Sequence, residues 1–347
     1  MQPKATPLVS IVIPTHNSAG FIAAAVRGVF AQTYPRFEVI VVDDGSTDGT
    51  ADVLQQFAGR IRYHRQDNQG AAAARNAGIK MAVGELVCFL DADDLWAPNK
   101  LELQIEFMAA HRDVGLLFTD AEECEGTTIQ KHSIIATMVF GDDIASQIPL
   151  REPFRKLVRE NFVPTSTVMV RKACIVKAGL FDERLPNAED RDMWLRMSAE
   201  SGVACLPQVL ARKRSHGANI SMRAELGLRS RVEVWKKARR DFPALAPASE
   251  YEKMLAGTYQ ELGFIVLAQG DGSQARQYGL ASLRSSLRYV MATRSNFPFR
   301  WSFSGALVVL SFIPWSWVRR AWRTRNFLLT RNPPEWAGAT GSPMERR

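Results

Sequence analysis

Short apolar runs alternate with helix-forming stretches along the N-terminal half of the chain. The runs 9–13 and 37–42 are rich in β-branched residues, the run 85–90 is apolar after its first residue, and all three have the length of buried strands. Stretches of helix formers, such as 71–82, separate them. This alternation predicts an α/β fold in which helices cover both faces of a mostly parallel sheet. Further strand candidates lie at 61–65, 114–119 and 167–171.

Polar residues follow three of the predicted strands directly. Residues 14–17 end the first strand, 43–48 the second and 91–94 the third. Each cluster alone is explained equally simply as a cap on the helix that follows. In such folds, however, ligands bind beyond the carboxyl ends of the strands. Three clusters at one edge therefore favour a binding site over capping.

The spacing of Asp91 and Asp93 has a specific chemical use. Mg²⁺ and Mn²⁺ prefer oxygen ligands, and Mg²⁺ is typically held by one or two carboxylates plus substrate phosphates. A divalent ion here would bridge the diphosphate of a nucleotide donor and neutralise charge on the departing group. We therefore predict Mn²⁺ or Mg²⁺ as the cofactor. Asp94 is better placed to cap the helix predicted to begin near Pro98.

Four further residues have both a functional and a structural interpretation. Arg75 lies in a helix-forming stretch, where its guanidinium either binds paired phosphate oxygens or faces solvent. Glu189 and Asp190 precede a helix, and a carboxylate there either takes the proton of an attacking hydroxyl or serves as a surface charge or helix cap. His216 either contacts metal or phosphate or is structural.

Six motifs, taken in order, resemble the family 2 glycosyltransferases of the GT-A fold. They are VSIVIPTHN, VIVVDDGSTDGT, NQGAAAARNAG, GELVCFLDADD, GLFDE and AEDRDMWLR, and the resemblance covers about residues 8–220. Each motif alone is weak evidence, but the combination is highly specific. The resemblance implies a metal-dependent, inverting transfer from a nucleotide-sugar, usually a UDP-sugar, to a hydroxyl acceptor. Synthesis of cell-surface glycans or polysaccharides is the implied setting, with a glycan or lipid-linked acceptor.

The resemblance also implies roles for individual residues. Asp190 matches the catalytic base of the family, and Asp44 matches the acid that pairs with the nucleotide base, usually uracil. Thr15 and Asn17 match the turn of the nucleotide pocket. The implied nucleotide-sugar-binding residues are Pro14, Thr15, Asn17, Asp44, Arg75, Asp91 and Glu189, and the implied metal ligands are Asp93, which matches the direct ligand, Asp91 and His216.

His16 departs from the family pattern, because many members carry a tyrosine or phenylalanine at this position of the base pocket. An imidazole ring also stacks on a nucleotide base, so nucleotide binding is still expected. The preference for uracil is weakened.

Two other functions are compatible with some of these residues. A sugar-1-phosphate nucleotidyltransferase would carry a Gly-rich, Arg-containing loop after its first strand, whereas Gly20 is the single glycine in that part of this chain. A non-catalytic nucleotide- or carbohydrate-binding module would not need Asp91, Asp93 and Asp190, all of which are present. Both alternatives are therefore disfavoured.

Basic residues concentrate in the C-terminal part. Residues 1–210 carry 21 Lys and Arg against 27 Asp and Glu, whereas residues 211–347 carry 23 against 9. The uncharged, Trp-containing run 301–318 is followed directly by arginines, a pattern that favours the interface of an anionic membrane over a helix packed on the catalytic domain or a helix that spans the bilayer. We predict a cytoplasmic enzyme peripherally associated with the inner face of the plasma membrane. No nucleic-acid partner is expected, because the aromatic residues do not interleave with the cations.

These patterns predict four regions. A nucleotide-sugar glycosyltransferase domain occupies 1–220, a helical extension 221–300, a membrane-associating segment 301–328 and a disordered tail 329–347. The four cysteines form no closely spaced pair, which favours a reducing compartment. The first apolar run, 8–13, is too short for the core of a signal peptide, so none is expected.

Overall fold

The computed structural model of the protein describes residues 6–126, 128–216 and 224–293. The chain divides into two compact units between Met254 and Leu255. The first contains a nine-stranded sheet with helices on both sides, and the described part of the second is helical. The predicted α/β fold class with C-terminal helices is therefore confirmed. The predicted boundary near residue 220 stays a prediction.

Parallel strands form one half of the sheet. They are β1 (Val9–Thr15), β2 (Phe37–Asp44), β3 (Arg62–Gln66) and β4 (Leu86–Phe89). Their order is β3-β2-β1-β4. Every residue of β1 is buried, which is why its sequence is an apolar run rather than an alternating pattern. The connecting helices are α1 (Ile22–Phe30), α2 (Thr50–Gln55) and α3 (Ala71–Met81).

The other half of the sheet is mixed. Its strands are β5 (Leu95–Trp96), β6 (Val114–Glu125), β7 (Thr128–Lys131), β8 (Met169–Arg171) and β9 (Gly202–Ser215). β8 runs antiparallel to both β4 and β6, between which it lies, whereas β9 pairs with β6 in parallel. β5 closes the edge beside β9, and β7 pairs with the end of β6. The predicted parallel character thus holds for the first half and for one pair of the second.

Six helices accompany this second half in the first unit. They are α4 (Lys100–Ala110), α5 (Gly141–Ser146), α6 (Pro153–Arg159), α7 (Lys172–Lys177), α8 (Glu189–Glu200) and α9 (Ala224–Asp241). α9 packs against α8 and belongs to the same unit. The sequence between α6 and β8 includes a single 3₁₀ turn, Thr165–Thr167.

The described part of the second unit is formed by the end of α10 (Ala248–Ala268) and by α11 (Gly272–Thr293). Val266, Leu267 and Ala275 form its small apolar core. Among the helices that the structure describes, none is long and apolar enough to cross a membrane. The predicted membrane-associating segment 301–328 and the tail 329–347 lie outside the described residues.

Helix α3 packs unusually closely on β1. A Cβ atom on Gly78 would lie 2.3 Å from Cγ1 of Val12, far inside van der Waals contact. Only glycine therefore permits this approach. Arg75 lies nearly one turn earlier on the same helix, so the close packing holds its side chain beside the ends of the strands.

Candidate active site

The carboxyl ends of β1, β2 and β4 lie at one edge of the sheet. Thr15 pairs with Asp43 in the β1–β2 register, and Phe89 of β4 pairs with Val12 of β1. Asp91 follows Phe89 by two residues. The three polar clusters at residues 14–17, 43–48 and 91–94 consequently lie at this edge, which we call the site edge.

The end of β1 combines buried and exposed groups. Pro14 and Thr15 are buried, and Oγ1 of Thr15 makes no hydrogen bond to any residue that the structure describes. Asn17 follows in the left-handed conformation (φ 50°), which asparagine adopts more readily than most residues. Its Oδ1 accepts from the N–H of Thr47 (2.8 Å), and its own N–H donates to Oγ of Ser46 (2.9 Å). Asn17 therefore joins the turn after β1 to the loop after β2.

Asp44 holds the loop that precedes α3. Its Oδ1 accepts from the N–H of Gln69 (2.9 Å) and from Nε2 of Gln66 (2.8 Å), and its Oδ2 accepts from the N–H of Gly70 (2.7 Å). A carboxylate offers about four acceptor positions, so roughly one remains. Gly45 is required here, because its φ is +75° and a Cβ would meet the loop backbone at 2.9 Å.

His16 lies exposed at the same edge. Its Nδ1 donates to the backbone carbonyl of Asp44 (2.9 Å), which leaves Nε2 as an acceptor. Nδ2 of Asn17 (3.2 Å) and Nδ2 of Asn68 (3.3 Å) lie within hydrogen-bond distance of that nitrogen. The imidazole is thus fixed in one tautomer at the surface of the site edge.

Arg75 joins two carboxylates instead of facing solvent. Its Nη2 donates to Oδ1 of Asp91 (2.8 Å) and its Nη1 to Oε1 of Glu189 (2.6 Å), while its side chain is only 6% exposed. Burial disfavours the charged guanidinium, but the charges of Asp91 and Glu189 outweigh it and raise the pKa of Arg75 above its ordinary value. Arg75 therefore links the cluster after β4 to the start of α8.

Three neighbouring aspartates follow β4. Burial, together with the charge of Asp91, raises the pKa of Asp93. Burial and the charges of Asp91 and Asp93 raise the pKa of Asp94 to about 8. The like charges repel one another, so this part of the site edge favours a cation.

Asp94 does not cap a helix, so that prediction is wrong. Its Oδ2 accepts from Oγ of Ser166 (2.6 Å), and its Oδ1 accepts from the N–H of Arg214 (3.0 Å). α4 begins only at Lys100, and no side chain caps it. Asp94 instead ties the loop after β4 to the end of β9, a strand that local sequence does not reveal.

His216 reaches the same aspartate cluster from the end of β9. Its Nε2 lies 3.0 Å from Oδ2 of Asp93, although 123 positions separate the two residues. Its ring stacks on Phe21, with centroids 4.6 Å apart and planes inclined by 12°. The structure thus brings together Asp93 and His216, two of the three predicted metal ligands, and an aromatic ring fixes the imidazole.

These groups fit a divalent cation that arrives with phosphate. Within the described ranges, no three His, Cys, Asp or Glu side chains stand at the spacing of a closed metal site. One oxygen of Asp91 is taken up by Arg75. Mg²⁺ is usually held by one or two carboxylates and completed by phosphates, an arrangement that Asp93 and the free oxygen of Asp91 suit. A bound cation would also relieve the repulsion between these carboxylates.

The start of α8 presents two adjacent carboxylates in different environments. Glu189 is 13% exposed and paired with Arg75, and burial raises its pKa although the Arg75 charge opposes the shift. Oδ1 of Asp190 accepts from the N–H of Arg191 (2.6 Å), and its Oδ2 accepts from Nδ2 of Asn161 (3.1 Å). Neutral donors therefore hold Asp190, whereas a cation holds Glu189.

Sequence reasoning missed four residues that build the site edge. Ser166 donates to Asp94 and accepts from the N–H of Asp91 (3.0 Å). No local pattern marks this serine, because β8 places it. The other three are Phe21 beneath His216, Asn161 beside Asp190, and Asn76, which bonds both backbone groups of Phe181 at 2.9 Å.

Comparison with known proteins identifies the family. The family model described as glycosyl transferase family 2 matches residues 10–179. An uncharacterized glycosyltransferase of Rickettsia typhi is 32% identical over 232 residues, which cover 66% of this chain and 71% of the relative. The chain belongs to glycosyl transferase family 2. The predicted glycosyltransferase activity is thereby confirmed over the two alternatives.

A second relative has a more specific name. It is the UDP-Glc:alpha-D-GlcNAc-diphosphoundecaprenol beta-1,3-glucosyltransferase WfgD of Escherichia coli. This protein is 29% identical over 201 residues, covering 57% of this chain and 73% of its own length.

Solved structures show the same fold at low sequence identity. TarS of S. aureus in complex with UDP-GlcNAc is similar with a TM-score of 0.64 at 17% identity, covering 92% of each chain. The mannosyltransferase PcManGT of Pyrobaculum calidifontis, solved with GDP-Man and Mn²⁺, is similar with a TM-score of 0.56 at 18% identity. It covers 90% of this chain and 88% of its own. The predicted GT-A fold is thus confirmed.

Proposed function

We propose that this glycosyltransferase moves a sugar from a UDP-sugar to a hydroxyl of a lipid-linked glycan, in the synthesis of a cell-surface polysaccharide. The observation that carries the proposal is the joining of Arg75, Asp91 and Glu189 beside Asp190. Arg75 and Asp91 are assigned to the donor, and Glu189 lies next to the proposed base, so this cluster joins the donor side of the site to the acceptor side. The name of WfgD and the UDP-GlcNAc bound in the TarS structure support the choice of a UDP-sugar, and the name of WfgD supports a diphospholipid acceptor.

The diphosphate of the donor would lie beside the aspartates after β4. Asp93 and His216, with the second oxygen of Asp91, would hold Mn²⁺ or Mg²⁺ there. The ion, when bound, neutralises charge on the departing diphosphate. The presence of Mn²⁺ in the PcManGT structure supports this choice.

The nucleoside would lie on the β1 and β2 side of the site edge. Pro14 and Thr15 form the buried floor, and Asn17 shapes the adjoining turn. The remaining acceptor position of Asp44 suits the N–H of a uracil ring. The imidazole of His16 lies exposed beside it and suits stacking on the base.

Asp190 would act as the general base. It takes the proton of the acceptor hydroxyl as that oxygen attacks the anomeric carbon, while the bond from this carbon to the diphosphate oxygen breaks. Glu189 is engaged by Arg75, so Asp190 is the carboxylate at the start of α8 that pairs with no cation of the described residues. One base and a direct attack by the acceptor give a single displacement, which inverts the anomeric configuration.

A screen of donors tests the proposed reaction. The full chain is incubated with UDP-, GDP- and dTDP-sugars and Mn²⁺ or Mg²⁺, and both nucleotide release and thermal stabilisation are measured. We expect UDP-sugars to be hydrolysed and to stabilise the protein. Asp190→Asn should reduce turnover on the order of 10²–10⁴-fold with little change in donor affinity. Near-normal turnover by Asp190→Asn would show that Asp190 is not the base, and Glu189 or Asp192 would be the next candidate.

The C-terminal region would bring the enzyme to its acceptor. In this proposal residues 1–220 form the catalytic domain and residues 221–300 form a helical extension of it. Residues 301–328 associate with the interface of the inner leaflet, at the cytoplasmic face. The Trp residues and following arginines of that segment suit anionic headgroups. The full chain should sediment with anionic liposomes and be partly released from them by high salt, and it should not sediment with neutral liposomes. Failure to sediment with either kind of liposome would contradict the proposal.

A further inference from the structure

Asn161 contacts the proposed base from a separate segment. Its Nδ2 donates to Oδ2 of Asp190 over 3.1 Å, across 29 positions of sequence. The other oxygen, Oδ1, accepts from the N–H of Arg191. Both oxygens of the Asp190 carboxylate are consequently held, so the plane of the group is defined.

The segment that carries Asn161 is fastened to the residue beside Asp190. Nε of Arg191 donates to the carbonyl of Leu157 (3.0 Å), at the end of α6. Nε1 of Trp235 donates to the carbonyl of Val158 (3.0 Å), and the guanidinium of Arg191 lies over the Trp235 ring at 5.0 Å. Arg191 and Trp235 are buried. Contacts of the buried Arg191 and Trp235 with the end of α6 therefore fix the segment that places Asn161 beside Asp190.

The amide of Asn161 is held in one orientation at a cost. Its Oδ1 is buried and accepts no hydrogen bond from any residue in the described ranges. A buried acceptor without a hydrogen bond destabilises the folded state. Turning the amide over would instead set Oδ1 against the Asp190 carboxylate, two acceptors face to face. The fold therefore keeps the N–H donor on Asp190 and leaves the carbonyl unsatisfied.

We propose that Asn161 is a positioning residue that orients the Asp190 carboxylate for proton transfer. The proposal rests on the proposed role of Asp190 as the base. A neutral donor fixes the carboxylate without pairing it with a cation, so its remaining lone pairs are available to the acceptor hydroxyl. Among the described residues, the charged groups around Asp190 are Glu189 and Arg191, with Arg75 acting on Glu189, and Glu160 and Arg231 acting on Arg191.

Two substitutions test the proposal through the pH dependence of turnover. Asn161→Leu removes the donor, and Asn161→Asp replaces it with a like charge. UDP release from UDP-glucose, with Mn²⁺ and with water as acceptor, is measured from pH 5 to 9. For Asn161→Leu we expect kcat to fall about tenfold or more, with an unchanged KM for the donor. For Asn161→Asp we expect the acid limb of the profile to move upward by about one pH unit or more.

Asn99→Asp and Asn99→Leu are the matched controls, because Asn99 is exposed at the start of α4. They should leave the profile unchanged. A fall of kcat at every pH with no displaced limb in Asn161→Asp would mean a merely structural role and overturn the proposal. So would normal turnover by Asn161→Leu.

A second measurement separates this inference from the proposed function. If Asp190→Asn abolishes turnover but the Asn161 variants behave normally, only the inference fails. If the wild type releases no UDP, ¹³C NMR of protein labelled at its aspartates tests the inference without turnover. The resonance of the Asp190 carboxyl group is identified by its absence in Asp190→Asn. The carboxyl resonance of Asp190 should shift in Asn161→Leu, because the hydrogen bond from the Asn161 amide is lost. An unchanged resonance in a folded variant would overturn the inference.

Discussion

The guanidinium of Arg75 donates to Oδ1 of Asp91 over 2.8 Å from a position that is almost fully buried. The same group reaches Glu189 over 2.6 Å. One cation thus pairs with two carboxylates on two different elements, the loop after β4 and the start of α8. A lone arginine in a helix-forming stretch is therefore part of the framework that holds the site together.

Loss of this cation should destabilise the protein. Arg75→Met leaves the buried Glu189 carboxylate unpaired, so we expect the free energy of unfolding in urea to fall on the order of 3 kcal/mol. Adding Glu189→Gln should recover part of the loss, since the buried charge is then gone. Arg62→Met is the control, because Arg62 pairs with Glu38 while 47% exposed, and its loss should stay below about 1 kcal/mol. Equal losses at both positions would contradict this interpretation.

The packing of α3 on β1 makes a second prediction. A Cβ on Gly78 would overlap Cγ1 of Val12, so Gly78→Ala should lower the free energy of unfolding by about 1–3 kcal/mol. Gly20→Ala is the control, because nothing lies within 4 Å of its Cβ position. In a double-mutant cycle, Val12→Ala should make the Gly78→Ala penalty smaller than it is alone. Additive penalties would show that α3 relaxes away from the strand.

Lys100 predicts a stability that depends on pH. It is buried, and burial lowers its pKa to about 8, while its Nζ donates to Oε1 of Gln104 (2.6 Å) and lies over the Trp96 ring. Below pH 8 the folded state carries the buried ammonium, a cost of about 3 kcal/mol for a depression of this size. Between pH 8 and the ordinary lysine value the unfolded state binds more protons, so the stability of the wild type rises with pH.

Lys100→Met should therefore stabilise the protein near neutral pH. The removed burial cost exceeds the lost contacts to Gln104 and Trp96, roughly 1–2 kcal/mol together, so a net gain of about 1 kcal/mol is expected at pH 7. The gain should vanish or reverse by pH 10. Urea unfolding at pH 7, 8.5 and 10 measures it, with the exposed Lys80→Met as the control. A gain that does not change with pH would show that the Lys100 charge is not the cause.

The first half of the sheet is predictable because its information is local. The sequence predicts strands at 9–13, 37–42 and 85–90, and the observed strands β1, β2 and β4 overlap all three. Burial on both faces produces uninterrupted apolar runs that are recognisable without any partner. The polar clusters follow from the same reasoning, since parallel strands end at a common edge.

The second half is only partly predictable in this way, because the strand candidates at 114–119 and 167–171 overlap β6 and β8, whereas no candidate covers β5, β7 or β9. β9 spans Gly202–Ser215 and includes Pro207 and several cations, yet it forms a strand because it pairs along β6. Its pairing brings His216 to Asp93, and Arg214 to Asp94. Contacts between residues about 120 positions apart leave no local pattern, which is why the sequence predicts a helix cap for Asp94.

The contact between Asp93 and His216 makes the last prediction. If Asp93 is a metal ligand, Asp93→Asn should lower Mn²⁺ affinity at least about 100-fold. Loss of a residue that only hydrogen-bonds a metal ligand lowers the affinity by at most about 100-fold, and loss of a direct ligand should cost more. The tightening of UDP binding by Mn²⁺, measured by calorimetry, should disappear with it. His216→Gln should weaken the same effect less. This cation prefers the carboxylate oxygen of Asp93 to the imidazole nitrogen of His216, so loss of the imidazole removes the weaker ligand.

Asp113→Asn is the matched control for that experiment, since Asp113 is exposed just before β6 and lies at the opposite edge of the sheet. It removes the same charge and should leave Mn²⁺-dependent UDP binding intact. Unfolding in urea establishes that each variant is folded. Full turnover of the wild type in excess EDTA, or normal Mn²⁺ dependence in Asp93→Asn, would remove the metal from the proposal. The aspartate repulsion after β4 would then be balanced by protein donors alone.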